Sequence, residues 1–254
     1  VHSRSLHHDR AEWRIVTKAV LVTGAARRIG RAIALALGEA GYAIAIHANR
    51  ASADADTLRD AIGRKGGKAA VVHADLGDHA AVAALMPAAV AAVGPLTLLV
   101  NNAAMFEPDE IGTLDRVLWD RQFAVNLRAP LFLAEAFAAQ ARADADASIV
   151  NILDQRVLKP TPQFVSYALA KSALHTATGM LAQALAPTVR VNAVAPGPTF
   201  QSARQRPEDF AAQGAAMPLG RGPTPEEIAA AVVFLASARS ITGQTLAVDG
   251  GQHI

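Results

Sequence analysis

The chain has 254 residues, 52% of them hydrophobic and 18% charged, with a formal net charge of +2 and no cysteine. That length and apolar content can bury a large core and fit one α/β domain better than two. The basic residues are scattered apart from Arg27, Arg28 and Arg31, which argues against a nucleic-acid partner; the missing cysteines exclude disulfides and thiolate chemistry and agree with a reducing compartment.

No run of about 18 apolar residues occurs, so no membrane partner is expected and a cytoplasmic location is. The start, VHSRSLHHDRAEWR, is polar without an apolar stretch and reads as a flexible lead over residues 1–14, before a domain over 15–254. Lys18 to Thr23 (KAVLVT) then forms an apolar run that opens into Gly24-Ala-Ala-Arg-Arg-Ile-Gly30 and a helical stretch. Strand, glycine turn and helix are the setting in which backbone N–H groups and a helix N-terminus meet a pyrophosphate. Gly24, Arg27, Arg28, Ile29 and Gly30 are therefore candidate cofactor contacts. The G-x-G-x-x-G form is absent, and two glycines six apart also suit a plain tight turn.

A second strand, Ala43 to His47, is followed by Asn49 and Arg50, with no acid until Asp54. An acid about 20 residues past the glycines holds the ribose hydroxyl of NAD, whereas arginine accommodates the 2′-phosphate of NADP. Arg50, with Arg27 and Arg28 on the neighbouring loop, points to NADP(H); the competing reading makes Arg50 a solvated loop charge.

Alternation continues with a helix over about 53–65, a strand Ala69 to His73 ending in Asp75 and Leu76, and a helix over about 80–92. Strand Leu96 to Val100 then opens into Asn101, Asn102, Ala103 and Ala104. The asparagines suit either a turn that bridges backbone groups or a cofactor contact. A helix over about 114–140 carries Asn126 among apolar residues. A buried Asn needs partners, so it is either a satisfied core amide or a break in the helix ladder that orients a water. Ser148 to Leu153 is an apolar strand with Asp154 at its carboxyl end, the sheet edge where ligands bind in α/β folds.

Tyr167 and Lys171 follow, four residues apart on a helical pattern, so both leave one face of a helix. An ammonium beside a phenol lowers the phenol's pKa and makes Tyr167 a candidate acid/base; a solvated pair on an amphipathic face is the plain alternative. A sixth strand, Val189 to Val194, ends in Ala195-Pro-Gly-Pro-Thr199, where Pro196, Gly197 and Thr199 fix a loop beside the cofactor. Residues 200–223 are irregular around a short helical patch, 207–214, and read as a substrate lid. Helix 225–237 and strand Thr245 to Val248 close the sheet. Strands alternating with helices predict a Rossmann-type, doubly wound α/β fold: one domain with a mainly parallel seven-stranded sheet and helices on both faces. The eight histidines are dispersed, so no metal site is expected; His175 reads as a surface or interface residue.

Taken together, Thr23-Gly24, Asp75-Leu76, Asn101-Asn102-Ala103, Asn126, Tyr167 with Lys171, Pro196-Gly197 and the terminal Val248-Asp249-Gly-Gly resemble the short-chain dehydrogenase/reductase family over Lys18 to Gln252. The resemblance implies that Tyr167 is the general acid, that Lys171 lowers its pKa and holds the nicotinamide ribose, and that Asn126 positions a water. Two departures narrow it: Arg28 stands where the family carries a middle glycine, and Asp154 where it carries a catalytic serine. A carboxylate there repels a developing alkoxide but suits a substrate with N–H donors or a ring nitrogen that takes a proton.

Both departures, with TGAARRIG, HANR and Phe106 after NNAA, resemble the pteridine reductase branch. That likeness implies a pterin stacked between nicotinamide and Phe106, with Arg28 reaching both pterin and cofactor phosphate. A loop aromatic packed on the core is the other reading of Phe106. Ala51 replaces a serine that the branch often carries beside Arg50. The expected substrate site is Arg28, Phe106, Asp154 and Tyr167. The expected activity is NADPH-dependent reduction of a C=N bond in a dihydropterin or dihydrofolate; the alternatives are a general carbonyl or 3-oxoacyl reductase and a non-catalytic NADP(H)-binding scaffold. The family resemblance also implies a homo-oligomer, tetramer or dimer.

Overall fold

Strands and helices alternate through the computed structural model, which describes residues 18–142, 144–202 and 204–254; the expected lead over 1–14 lies outside them. The order is β1 (Ala19–Val22), α1 (Arg28–Glu39), β2 (Ala43–Ala48), α2 (Ala53–Arg64), β3 (Ala69–His73), α3 (His79–Val93) and β4 (Leu98–Asn101). Then come α4 (Arg116–Phe123), a π-helical segment (Ala124–Arg128), α5 (Ala129–Gln140), β5 (Ala147–Ile152), a 3₁₀ turn (Gln155–Val157) and α6 (Val165–Leu185). The chain finishes with β6 (Val189–Pro196), α7 (Pro207–Ala215), α8 (Pro225–Ser237) and β7 (Thr245–Val248).

All seven strands pair in parallel, in the order β3-β2-β1-β4-β5-β6-β7. This is the single, doubly wound α/β domain expected from the alternation. β1, β2, β4 and β5 are buried along their whole length, which is why they read as unbroken apolar runs rather than alternating ones. Successive residues of β1 point to opposite faces. Val20 and Val22 join the core beneath α1, α2 and α8 with Ile33, Leu58 and Val232. Ala19 and Leu21 join the one beneath α3, α5 and α6 with Leu85, Leu133 and Phe137. The winding direction reverses between β1 and β4, and a crevice opens at the carboxyl ends of those strands.

One expected helix is three segments. The run over 114–140 is interrupted by the π-helical turn Ala124–Arg128, which sits on Asn126. Single π turns inside α-helices recur at functional sites.

Candidate active site

The glycine loop is built by close approach. A Cβ on Gly30 would stand 2.3 Å from the carbonyl oxygen of Gly24, and Gly24 itself adopts φ +63 against Ala103. Asn102 locks this loop to β4: its Nδ2 donates to the carbonyls of Thr23 (2.7 Å) and Gly24 (3.1 Å). Its backbone N–H and that of Ala103 donate to the Thr23 hydroxyl at 2.9 and 3.0 Å. Asn102 thus bridges backbone groups of the glycine loop. Ala104 follows it, exposed. His47 holds the loop from β2. Burial pushes its imidazole below the ordinary pKa, and as a neutral ring it accepts from Gly24 N–H (3.1 Å) through Nδ1 and donates to Ala74 O (3.0 Å) through Nε2.

Helix α1 starts at Arg28 with no side-chain cap and no acid in its first turn, so its leading N–H groups stay available to an anion. Arg28 has φ +54, the left-handed region that glycine tolerates and other residues enter at a cost of about 1 kcal/mol or more. The glycine usual in the family at this position has that backbone reason, and here an arginine takes it. Its guanidinium lies 5.1 Å from the ring of Phe200, at the start of the segment expected to form the lid. Past β2, Asn49 and Arg50 are exposed, and Arg27 reaches Asp54 at 3.5 Å, so the nearest acid pairs with an arginine of the loop. These residues fit a dinucleotide: an unblocked helix N-terminus, a loop that only glycines close, and exposed cations, Arg27, Arg28 and Arg50, that would hold a 2′-phosphate.

Asp75 is engaged elsewhere. It accepts from Arg121 at 2.6 Å and from Gly77 N–H at 2.8 Å, contacts that lower its carboxyl pKa, while Leu76 is buried behind it. At the other end of the crevice Gly197 is held to Val248 by a backbone hydrogen bond (2.9 Å). A Cβ there would meet Asp249 Cα at 2.7 Å; Thr199 donates to Gly197 O at 2.9 Å, behind Pro196 at the end of β6.

The reaction centre joins β5, α6 and the loop after β4. Tyr167 OH donates to Asp154 Oδ2 at 3.2 Å, and Phe106 meets the Tyr167 ring edge-on with centroids 4.7 Å apart. Lys171 is fully buried, with its Nζ 5.9 Å from the Tyr167 ring centroid, and donates to Ile152 O at 2.6 Å. This corrects the expectation that the ammonium depresses the phenol. Burial first, and then the Asp154 carboxylate, raise the Tyr167 pKa well above its ordinary value, with Arg156 opposing them. Burial pushes Lys171 down to about 8, with Asp154 pulling the other way.

Asn126 is fully buried and spends both ends of its amide on one residue, accepting from Met105 N–H and donating to Met105 O, each at 2.9 Å. The π turn therefore holds the loop that presents Phe106. His175 sits partly buried on α6, 3.0 Å from the Thr245 hydroxyl of β7.

The sequence reading missed four participants. Arg156 donates through Nη1 to both Asp154 oxygens, at 3.3 and 3.2 Å. Phe164 stacks on Phe106 with centroids 4.2 Å apart and planes 8° from parallel, from a left-handed backbone at φ +56. Asp109, buried, accepts from Ser166 N–H at 3.1 Å at the head of α6, and Gln122 donates to the Ser166 hydroxyl at 2.7 Å. The spacing of Asp154 and Arg156, two apart at a strand end, was the one available sign. Among the described residues no group of three or more His, Cys, Asp and Glu side chains is placed to hold a metal. No helix there is long and apolar enough to cross a membrane.

A family model described as enoyl-(acyl carrier protein) reductase matches residues 24–253. An uncharacterised oxidoreductase of Methylorubrum extorquens is 37% identical over 244 residues, 92% of this chain and 97% of that protein. A short-chain type dehydrogenase/reductase of Picea abies is 33% identical, covering 92% of both. Among solved structures, FolM alternative dihydrofolate reductase 1 from Brucella canis, complexed with NADP, superposes with a TM-score of 0.90 at 51% identity. That alignment covers 93% of this chain and 94% of that one.

Proposed function

We propose that this chain, which belongs to the short-chain dehydrogenase/reductase family, is an NADPH-dependent reductase acting on a C=N bond of a dihydropterin or dihydrofolate. The observation that carries the reading is the carboxylate of Asp154, hydrogen-bonded to Tyr167 and beside Phe106, where ketone chemistry needs a neutral donor. The FolM structure holds NADP, and the loop of Gly24 and Gly30 with Arg27, Arg28 and Arg50 suits the same cofactor here.

NADPH, when bound, supplies the hydride that goes to the carbon of the C=N bond. The chain's own work is to orient the heterocycle and bring a proton to the nitrogen. Phe106 offers an aromatic surface to a flat ring, and Asp154 accepts from the ring's N–H donors. Tyr167, protonated at neutral pH, is the proton source. Lys171, about one helical turn further on, is placed to support the phenolate that forms and to hold the ribose. Asn126 keeps Met105 and Phe106 in place, and the helix ladder that opens around it is where a relay water would be ordered. Arg28 bridges substrate and cofactor phosphate, with the segment 200–223 closing over them. The enzyme works in the cytoplasm as a homo-oligomer, a tetramer or a dimer.

The test is NADPH oxidation by purified protein with dihydrobiopterin or dihydrofolate, beside an acetoacetyl thioester and a simple ketone. Turnover confined to the heterocycles is expected; turnover confined to the ketones overturns the reading and leaves a carbonyl reductase.

A further inference from the structure

Asp154 has no acceptor position left for a substrate. Its Oδ1 takes Arg156 N–H at 2.8 Å and Arg156 Nη1 at 3.3 Å; its Oδ2 takes the same Nη1 at 3.2 Å and Tyr167 OH at 3.2 Å. These contacts fill the roughly four lone-pair positions of a carboxylate. The side chains of Asp154 and Arg156 are 17% and 22% exposed, so water is no ready substitute for either partner.

Arg156 is nonetheless a loosely held occupant. Its contacts to Asp154 are longer than the roughly 2.7–2.9 Å of a good charge-assisted pair, and it engages the carboxylate through one nitrogen instead of the parallel fork that arginine favours. Its Nε is buried with no hydrogen-bond partner. Its Cζ stands 5.5 and 5.3 Å from the centroids of Phe106 and Phe164, two rings stacked 4.2 Å apart, so its other contact is a cation-π one shared between them. The ring that presents a flat surface and the carboxylate that reads N–H donors thus both touch the same guanidinium.

We propose that Arg156 stands in, before substrate binds, for the amidine edge of the heterocycle, and that substrate enters by displacing it from Asp154. A guanidinium and a 2-aminopyrimidine edge share a planar N–C–N unit with N–H donors; Arg156 meets the carboxylate through Nη1 alone, and the ring edge, with two parallel donors, completes the fork in its place. A ketone has no donor to offer and leaves the pair closed. Arg156 is in this sense a specificity-determining residue that selects planar rings with two adjacent N–H groups. The inference rests on the reading that Asp154 accepts from the substrate.

Arg156→Ala, loaded with NADPH, is expected to show a KM for dihydrobiopterin about fivefold below that of the parent protein, the scale of one lost partly exposed ion pair. Millimolar guanidinium chloride should then inhibit the variant competitively against dihydrobiopterin and leave the parent protein unaffected, with Arg156→Lys in between. A raised KM that guanidinium restores would show instead that Arg156 holds the substrate and would overturn the proposal. So would an unchanged KM with no guanidinium effect. Guanidinium binding to NADP-loaded Arg156→Ala, followed by calorimetry, requires no turnover: it is expected in that variant and lost when Asp154→Asn is added, and its absence from the single variant sinks the proposal. Failure of the parent protein to reduce either heterocycle would count against the proposed function separately, since the guanidinium titration still decides the displacement.

Discussion

Tyr167 keeps its proton because it is buried and faces a carboxylate, so it is ready to act as an acid without a base to prime it. Tyr167→Phe removes that proton and little else; turnover is expected to vanish while NADPH, titrated by fluorescence, still binds. Asp154→Ser restores the neutral donor suited to carbonyl substrates. Turnover of the heterocycle should fall by about a hundredfold or more, with ketone reduction preserved or raised, and equal losses for both substrates would count against a role for Asp154 in selecting them. Lys171 sets the pH response. Its pKa lies near 8, below the usual value of a lysine, so its ammonium is lost as pH rises through about 8, and kcat/KM, which reports the free enzyme, should fall there. Stability moves the other way: between about 8 and the ordinary 10.5 the unfolded chain binds more protons than the folded one, so the penalty of burying the ammonium is relieved as pH rises. A kcat/KM profile flat across pH 8 would remove Lys171 from the ionisation that matters. Tyr167, Lys171 and Asp154 were legible through the ordered set of landmarks they belong to, because their spacing alone suits a solvated helix face as well. Arg156 and Phe164 were not, because their roles depend on a turn and on a left-handed residue whose conformations carry no composition signal.

Helix α6 carries Tyr167 and Lys171, yet its own N-cap residue, Phe164, makes no side-chain cap bond. The missing cap comes from far away in sequence: Asp109, on the loop that also carries Phe106, accepts from Ser166 N–H with both carboxylate oxygens, at 3.1 and 3.3 Å. Asp109 thereby ties the phenol-bearing helix to the aromatic loop. Asp109→Ala leaves a buried donor unmet and is expected to destabilise the fold by about 1–2 kcal/mol, measured by urea unfolding. It should also raise the KM for the heterocycle more than the Kd for NADPH; an unchanged unfolding midpoint would show that the cap contributes nothing. The same dependence on distant partners explains the helix that sequence periodicity ran through without a break. Apolar spacing continues across residues 124–128, and only the pull of Met105 on the Asn126 amide marks where the ladder opens into a π turn. Element types were thus readable from period and punctuation, whereas caps and bulges set by long-range hydrogen bonds were not.

At the scale of the molecule, alternating strands and helices dictated a parallel sheet, and the unbroken apolar strands dictated cover on both faces. Strand order and the two cores follow from how those elements pack, and they place every candidate side chain along one edge of the sheet. The same packing leaves large apolar side chains outside. On the face of α4, α5 and α6, Val117 is 77% exposed, Met180 66%, Phe132 51% and Leu169 48%; on that of α8 and β7, Phe234 is 52% exposed. Single exposed apolar residues are ordinary on a monomer, but several on the helices that hold the π turn and Tyr167 form a surface that a symmetric partner would bury. Two such faces on one chain would give a closed tetramer, whereas one alone would give a dimer. Light scattering is therefore expected to return about four times the 26.4 kDa chain mass at micromolar concentration. Val117→Glu combined with Met180→Glu should reduce it to a folded dimer with weakened activity, since the face that supports α6 is then exposed. Phe234→Glu should break the other contact and spare the reaction centre. A parent protein that stays monomeric as its concentration rises would show that these faces are merely solvent-exposed.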